Sequence, residues 1–237
     1  MQLFYLPNLS EATFEFSEEE SKHCIRVLRN KKGDKITLID GKGTEAIGII
    51  ISDNPKKCSG EIIQRVLHEP NRNYQLHIAI APTKNFERIE WMLEKCIEMG
   101  VDEISFIETS NSERSKINLE RCEKIAISAI KQSKQFYLPR ILPIQSFQSF
   151  LVQTEAIKNK WIAWCESEKT GYLSKQITSI ENSQNLVCIG PEGDFTPQEI
   201  EAAQAHNFAP CSLGPNILRS ETAAVLATAL FSAKANG

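Results

Sequence analysis

The chain lacks any apolar run near the roughly 20 residues needed to span a bilayer. Its opening Met1-Gln2-Leu3-Phe4 has neither a basic segment nor a long apolar stretch behind it. No membrane partner and no secretion leader are expected, and the expected location is the cytoplasm. Paired cysteine spacing is missing too. The seven cysteines (24, 58, 96, 122, 165, 188 and 211) contain no C-x-x-C, and the closest two are 23 positions apart. That argues for reduced thiols, mostly small core residues, and against a disulfide framework. The four histidines (23, 68, 77 and 206) show no ligand spacing, so no metal is expected. An excess of one charge is also absent: 27 basic residues face 30 acidic ones, a net charge of −3. Binding to a polyanion then has to come from a local patch.

What is present suits a folded globular chain. Hydrophobic residues make up 41% and charged residues 24%, and 237 residues suffice for one or two domains with cores of their own. Residues 1–70 read as β-rich with one helix. Ser17-Glu18-Glu19-Glu20 has the form of a capping box and opens a helix expected to run to about Arg29. Strand-like runs follow at 35–40, 44–52 and 60–67, separated by Gly41-Lys42-Gly43 and Asp53-Asn54-Pro55. Such close spacing suggests a small barrel. Glu69-Pro70-Asn71-Arg72-Asn73 reads as the linker, giving domains of 1–70 and 74–237.

Beyond the linker the period changes. Leu76–Ala81 is an apolar strand, then Phe86, Ile89, Leu93, Cys96 and Ile97 mark a helical face that Gly100 ends. Strands are expected at 101–107, 141–144, 161–165 and 186–189, with a helix through Cys122, Ala126 and Ile130. Strands alternating with helices predict an α/β domain with a largely parallel sheet.

Two loops near the end carry the strongest signals. Leu186–Ile189 breaks into Gly190-Pro191-Glu192-Gly193-Asp194-Phe195, and Thr196-Pro197-Gln198-Glu199 starts a helix with Thr196 as N-cap. Glycines there allow positive φ and close approach of a ligand to the backbone, at the strand end where α/β proteins bind ligands. A tight strand–helix turn would look the same. No P-loop and no G-x-G-x-x-G is present. The second loop is Cys211-Ser212-Leu213-Gly214-Pro215-Asn216, leading through Ile217-Leu218-Arg219 to a helix with Ser220 as expected N-cap. Residues 223–233 are apolar on nearly every side, which predicts a helix buried all round, in the interior or at a subunit interface. A third feature is basic: Lys22, Arg26, Arg29, Lys31, Lys32 and Lys35 face the single acid Asp34. Lys22, Arg26 and Arg29 follow i, i+4, i+7 spacing, one stripe on a helix, which suits phosphates or a plain solvated face.

Ile189-Gly190-Pro191-Glu192-Gly193, followed by Leu213-Gly214-Pro215-x-Ile217-Leu218-Arg219-x-Glu221-Thr222-Ala223, resembles the paired C-terminal motifs of the RsmE-type ribosomal RNA methyltransferases of the SPOUT superfamily. His23-x-x-x-Val27-Leu28-Arg29, Gly33-Asp34, Asp40-Gly41-x-Gly43, Lys84, Lys95-x-x-Glu98-x-Gly100-Val101, Glu113-Arg114-Ser115 and Gln132-Ser133 agree with that family. The resemblance implies a small PUA-like β-barrel followed by a SPOUT α/β domain with a C-terminal trefoil knot. It implies a homodimer that uses S-adenosylmethionine to methylate N3 of a uridine in 16S rRNA of the small ribosomal subunit. The implied donor-binding residues are Ile189, Gly190, Pro191, Glu192, Gly193, Leu213, Gly214, Ile217, Leu218 and Thr222. Arg219, Glu221 and Arg114 are the catalytic candidates, and Lys22, Arg26, Arg29, Lys31, Lys32 and Lys84 the RNA contacts. The family often has a second glycine where this chain has Asp194, a basic residue where it has Asn216, and an arginine after Gln132-Ser133 where it has Lys134. Another RNA target, or an RNA-binding assembly factor without activity, are the alternative readings.

Overall fold

Short alternating strands in the first third of the chain build a curled mixed sheet. The computed structural model describes residues 2–70, 72–165 and 171–235. It divides into two compact units, one of residues 1–71 with 127–138 and one of 72–126 with 139–237. In the first unit, β1 (Leu3–Tyr5), β2 (Thr13–Glu15), α1 (Glu18–Lys22), β3 (Lys35–Ile39), β4 (Thr44–Ser52) and β5 (Ser59–Leu67) follow in order. The sheet runs β1-β3-β4-β5-β2, with β1 parallel to β3 and the other pairs antiparallel. Ala46, Gly48 and Ile50 alternate inward along β4. The sheet curls so that Phe4 of β1 stacks on Phe16, next to the other edge strand, with ring centroids 5.1 Å apart. Both belong to a core with Leu38, Ile50, Cys24 and Cys58.

The helix of this unit departs from the sequence reading. The Ser17 hydroxyl accepts from the Glu20 amide at 3.3 Å, but the Glu20 carboxylate accepts from Lys131 at 2.6 Å, so only half of the capping box is used. The α-helix ends at Lys22, a π-helical turn covers His23–Val27, and Arg29 sits at φ +62°. The buried Cys24 explains the wide turn: the Asn30 amide donates to its carbonyl at 3.2 Å and the Asn30 carboxamide reaches its sulfur at 3.5 Å. Lys22, Arg26 and Arg29 are exposed, but they do not form the single α-helical stripe their spacing suggests.

The second unit follows as β6 (Gln75–Ile80), α2 (Phe86–Glu98), β7 (Glu103–Glu108), α3 (Leu119–Ser133, whose second half belongs to the first unit), β8 (Arg140–Ser146), α4 (Phe147–Gln153), β9 (Asn159–Ala163), α5 (Leu173–Gln176), β10 (Gln184–Ile189), α6 (Pro197–Ala205), β11 (Ala209–Cys211) and α7 (Ser220–Ala235). Its sheet is parallel throughout, in the order β11-β9-β10-β6-β7-β8. Strands buried on both faces read as continuous apolar runs, and Leu186–Ile189 of β10 are all buried. The chain winds outward from β6 to β8, then returns so that β10 lies between β9 and β6. The order reverses there, the place where doubly wound sheets open a crevice at their carboxyl ends.

Helix α7 packs on α2, β6 and β10. Ala223, Ala224, Ala227, Thr228 and Phe231 are buried, while Val225, Leu226, Ala229 and Leu230 are half-buried. Of the two expected settings, an interior location is met on one face only: within one chain the opposite face is half-covered. Near the amino ends of the strands, His77 Nε2 meets Ser105 Oγ at 2.7 Å and Arg140 pairs with Glu103 at 2.9 Å. Burial first, and the Arg140 charge second, push His77 down to about 3, so its 3.6 Å approach to Glu103 is not an ion pair at neutral pH.

Candidate active site

The carboxyl ends of β9, β10 and β11 open onto a cavity of about 340 Å³, within the range of small-molecule sites. Of the residues singled out by sequence, Ile189, Gly190, Pro191, Glu192, Leu213, Gly214, Ile217, Leu218 and Arg219 line it. Gly193, Thr222, Glu221 and Arg114 are not part of that lining. The wall also contains Asp194, Ser212 and Ser220 of the same two loops, and Ala163, Trp164 and Cys165, which the motifs did not bring forward. The signal for residues 163–165 was available: β9 adjoins β10 and ends at the same edge, where ligands of parallel sheets bind.

The first loop owes its shape to a residue other than its glycines. Neither Gly190 nor Gly193 has positive φ; Asp194 does, at +59°. Aspartate tolerates this region because its short side chain bonds locally. Its Oδ1 accepts from the Phe195 amide at 2.8 Å and its Oδ2 from the Cys165 amide at 3.0 Å. Gly193 has a different constraint: a Cβ there would lie 3.1 Å from the Cβ of Asn111, a tight contact that Asn111 would have to yield to by a few tenths of an ångström. The Asn111 carboxamide donates to the carbonyls of Gly193 and Asp194, both at 3.0 Å. Thr196 and Glu199 form the expected capping box on α6. The spare Glu199 oxygen accepts from the Ser110 amide at 2.8 Å.

The second loop is braced mainly at its start. The Ser212 amide donates to Gly171 at 3.0 Å, and Leu173 donates to the Ser212 carbonyl at 2.8 Å. From Pro215 to Ile217 the residues are exposed, and the Ile217 side chain, at 85%, is uncovered above the cavity. Gly214 has φ +156°, and a Cβ there would meet no protein atom within 4 Å. Ser220 is the first residue of α7 and does not act as the N-cap expected. Its hydroxyl donates to the Gly190 carbonyl at 2.7 Å, which joins the two loops.

Charge at the cavity is mixed. Glu192, Asp194 and Arg219 all belong to the wall, and the exposed Arg219 guanidinium has no partner among the described residues. Desolvation, and then the Asp194 carboxylate, push the Cys165 thiol up to about 11, so no thiolate nucleophile is available there at neutral pH. Glu221 lies elsewhere. It is buried, one oxygen is 3.8 Å from Arg88 Nε, and the other has no hydrogen-bond partner. The Arg114 guanidinium donates to the Thr83 carbonyl at 3.2 Å and to that of Lys84, and lies over the Phe86 ring. Lys84, with its side chain 83% exposed, is 3.5 Å from Glu113. In the first unit, Lys22 pairs with Glu18 at 2.7 Å, and Arg26, Arg29, Lys31 and Lys32 are exposed. Among the described residues, no group of three or more His, Cys, Asp or Glu could hold a metal, and no helix is long and apolar enough to cross a membrane.

Residues 70–232 match a family model described as an RNA methyltransferase domain, and residues 16–63 match one described as an RNA methyltransferase PUA domain. The ribosomal RNA small subunit methyltransferase E of Bacillus subtilis is 30% identical over 93% of this chain and 90% of its own length. The crystal structure of a probable rRNA-methyltransferase from Porphyromonas gingivalis is 38% identical, with a TM-score of 0.91 over 100% of this chain and 99% of its own. That of ribosomal RNA small subunit methyltransferase E from Neisseria gonorrhoeae, bound to S-adenosyl methionine, is 26% identical, with a TM-score of 0.86 over 99% and 98%. A family model over more than half of the chain and a relative of this identity over nearly all of it leave one conclusion: the chain belongs to the ribosomal RNA small subunit methyltransferase E family.

Proposed function

We propose that this protein transfers a methyl group from S-adenosylmethionine to N3 of a uridine in 16S rRNA. The observation that carries the reading is the 340 Å³ cavity walled by residues 189–192 and 212–219 at the carboxyl ends of a parallel sheet. Its wall suits the donor. Apolar Ile189, Leu213, Leu218 and Ala223 offer a surface for a purine, main-chain groups of the two loops offer hydrogen bonds, and Glu192 and Asp194 offer negative charge to a cationic ligand. Bound there, S-adenosylmethionine supplies an electrophilic methyl group, so the chain's own task is positioning and electrostatics.

Uracil N3 is a poor nucleophile while it carries its proton. Arg219, at the cavity wall and free of an acidic partner among the described residues, stabilises the negative charge that develops on O2 and O4 as that proton leaves. Arg114, whose guanidinium donates to the carbonyls of Thr83 and Lys84, is the second candidate cation, and Glu221, buried beside Arg88, is the candidate base or the group that orients Arg219. The target uridine has to be unpaired or flipped to present N3. Residues 1–70 form the RNA-gripping domain, in which Lys22, Arg26, Arg29, Lys31 and Lys32 contact phosphates and set register. Lys84 adds a contact from the methyltransferase domain of 74–237. That domain carries a trefoil knot in its C-terminal part, and the protein works as a cytoplasmic homodimer. The half-covered outer face of α7 supports the dimer.

The test is to incubate purified protein with labelled S-adenosylmethionine and small ribosomal subunits lacking the modification, then map the methylated position. Label on N3 of one 16S uridine is the expected result. Donor binding without transfer would favour an inactive assembly factor, and transfer to another nucleotide would favour a different RNA target.

A further inference from the structure

A glycine conserves space for whatever comes nearest to it, and at Gly193 that is a side chain from the loop after β7. The strand order puts β6 between β10 and β7, so the β7 loop must reach across the carboxyl end of β6 to touch the loop after β10. Asn111 makes that reach. Its carboxamide nitrogen donates to two successive carbonyls, those of Gly193 and Asp194, at 3.0 Å each, and its Cβ would lie 3.1 Å from any Cβ at position 193. Ser110, one residue earlier, donates from its amide and its hydroxyl to Glu199 at 2.8 and 3.1 Å. Glu199 is the N3 member of the capping box, with Thr196 as N-cap, on the helix that follows the same cavity loop. The second carbonyl bound by Asn111 belongs to Asp194, whose side chain reaches on to the Cys165 amide. Loops after β7, β10 and β9 are thereby joined in series.

We infer that Asn111 is a positioning residue for methyl-donor binding: its carboxamide fixes residues 193 and 194, and through them the cavity wall formed by Glu192, Asp194 and Cys165. Asn111 does not line the cavity and acts only through the loop it holds. The inference rests on the reading of the cavity as the donor site. It also assigns Gly193 a role different from that of a ligand-contacting glycine, since the space kept clear there is filled by Asn111.

A double-mutant cycle tests this. Dissociation constants for S-adenosylmethionine are measured by calorimetry for the wild type, Asn111→Gly, Gly193→Ala and the double variant, alongside thermal unfolding and the donor KM and kcat. Asn111→Gly removes both hydrogen bonds, and affinity is expected to fall about tenfold, with the donor KM rising in step and kcat changing far less. Asn111 is exposed, so the two lost hydrogen bonds should lower the melting temperature by only a few degrees, with the fold retained. Gly193→Ala presses a Cβ to 3.1 Å from that of Asn111 and is expected to weaken binding in the wild type by less than Asn111→Gly does, and to add nothing in the Asn111→Gly background, where the opposing Cβ is gone. Equal effects of Gly193→Ala in both backgrounds would overturn the inference, because the glycine would then serve the ligand directly. So would unchanged affinity in Asn111→Gly. If Asn111→Gly fails to fold, Asn111→Asp takes its place in the affinity measurement: it keeps the shape but turns oxygen toward two carbonyls, and an unweakened donor affinity overturns the inference. Failure of the wild type itself to bind the donor would overturn the donor-site reading, and the inference with it.

Discussion

The loop of residues 190–195 is held from three sides, by Asn111, by the Cys165 amide on Asp194 and by the Ser220 hydroxyl on Gly190. The loop of 213–219 is anchored mainly at its flanks, at Ser212 and at the start of α7, and exposes Pro215, Asn216 and Ile217 between them. Both line one cavity. The difference assigns them different work. A loop tied at several points presents its main chain in one fixed arrangement, so little ordering is left for the ligand to impose. A loop bonded only at its ends can settle on a ligand and cover it, at an entropic cost drawn from the binding free energy. Ile217, an apolar side chain left in water, is the residue with most to gain from such a cover.

The most severe way to break this comparison is Gly214→Val. The new side chain meets no protein atom as its Cβ is placed, though φ +156° strains any side chain there, and it occupies space at the cavity wall, so donor affinity should fall more than 100-fold (about 3 kcal/mol or more) while the fold is retained with a lowered melting temperature. Calorimetry beside a melting curve checks both, and retained binding would refute it. Next is Arg219→Ala, which should lower kcat about 100-fold, the scale for losing a charge-stabilising group, with the donor dissociation constant nearly unchanged. A matching loss of donor affinity would instead make Arg219 part of the donor site.

Asp194 sharpens the braced side. Asp194→Ala loses two hydrogen bonds and leaves an ordinary residue at φ +59°, so about 1–3 kcal/mol of stability should go. Asp194→Gly loses the same bonds without the backbone penalty and should cost clearly less. Chemical denaturation of the pair decides this, and equal losses would mean that the backbone conformation is not strained. The smallest effect at neutral pH belongs to His77. Its folded pKa of about 3 lies below the usual 6.5, so the unfolded chain binds the extra proton first. Stability is therefore complete above pH 6.5 and declines as the pH falls toward 3. His77→Gln should flatten that part of the stability profile and leave donor affinity untouched, a control remote from both loops.

Legibility in the sequence followed element length and bonding range. β4 and the long apolar strands of the second unit were readable because six to nine residues are enough for a period to emerge. β1 and β2, three residues each, carry no period and were not foreseen. The π-helical turn at His23–Val27 is set by how Cys24 and Asn30 pack, a tertiary matter that no local spacing encodes. At the site, the motif glycines pointed to the right loops, but their conformations were misjudged. The positive φ resides at Asp194, and Gly193 makes room for Asn111. Ser220 read as a cap because serine before an apolar helix normally is one, yet its hydroxyl is spent on Gly190, thirty residues away. Arg114 and Glu221 drew notice as charged motif members, and only packing reveals that their partners are Thr83, Lys84 and Arg88.

The stretch between β7 and α3 ordinarily would be the place to accept an inserted peptide, since surface connections vary freely in length. Here its span is measured against another strand's backbone more than eighty residues downstream. Adding or removing a single residue between Glu108 and Asn111 would slide the carboxamide off Gly193 and Asp194, so tags, linkers and grafted peptides belong at some other bend of this molecule.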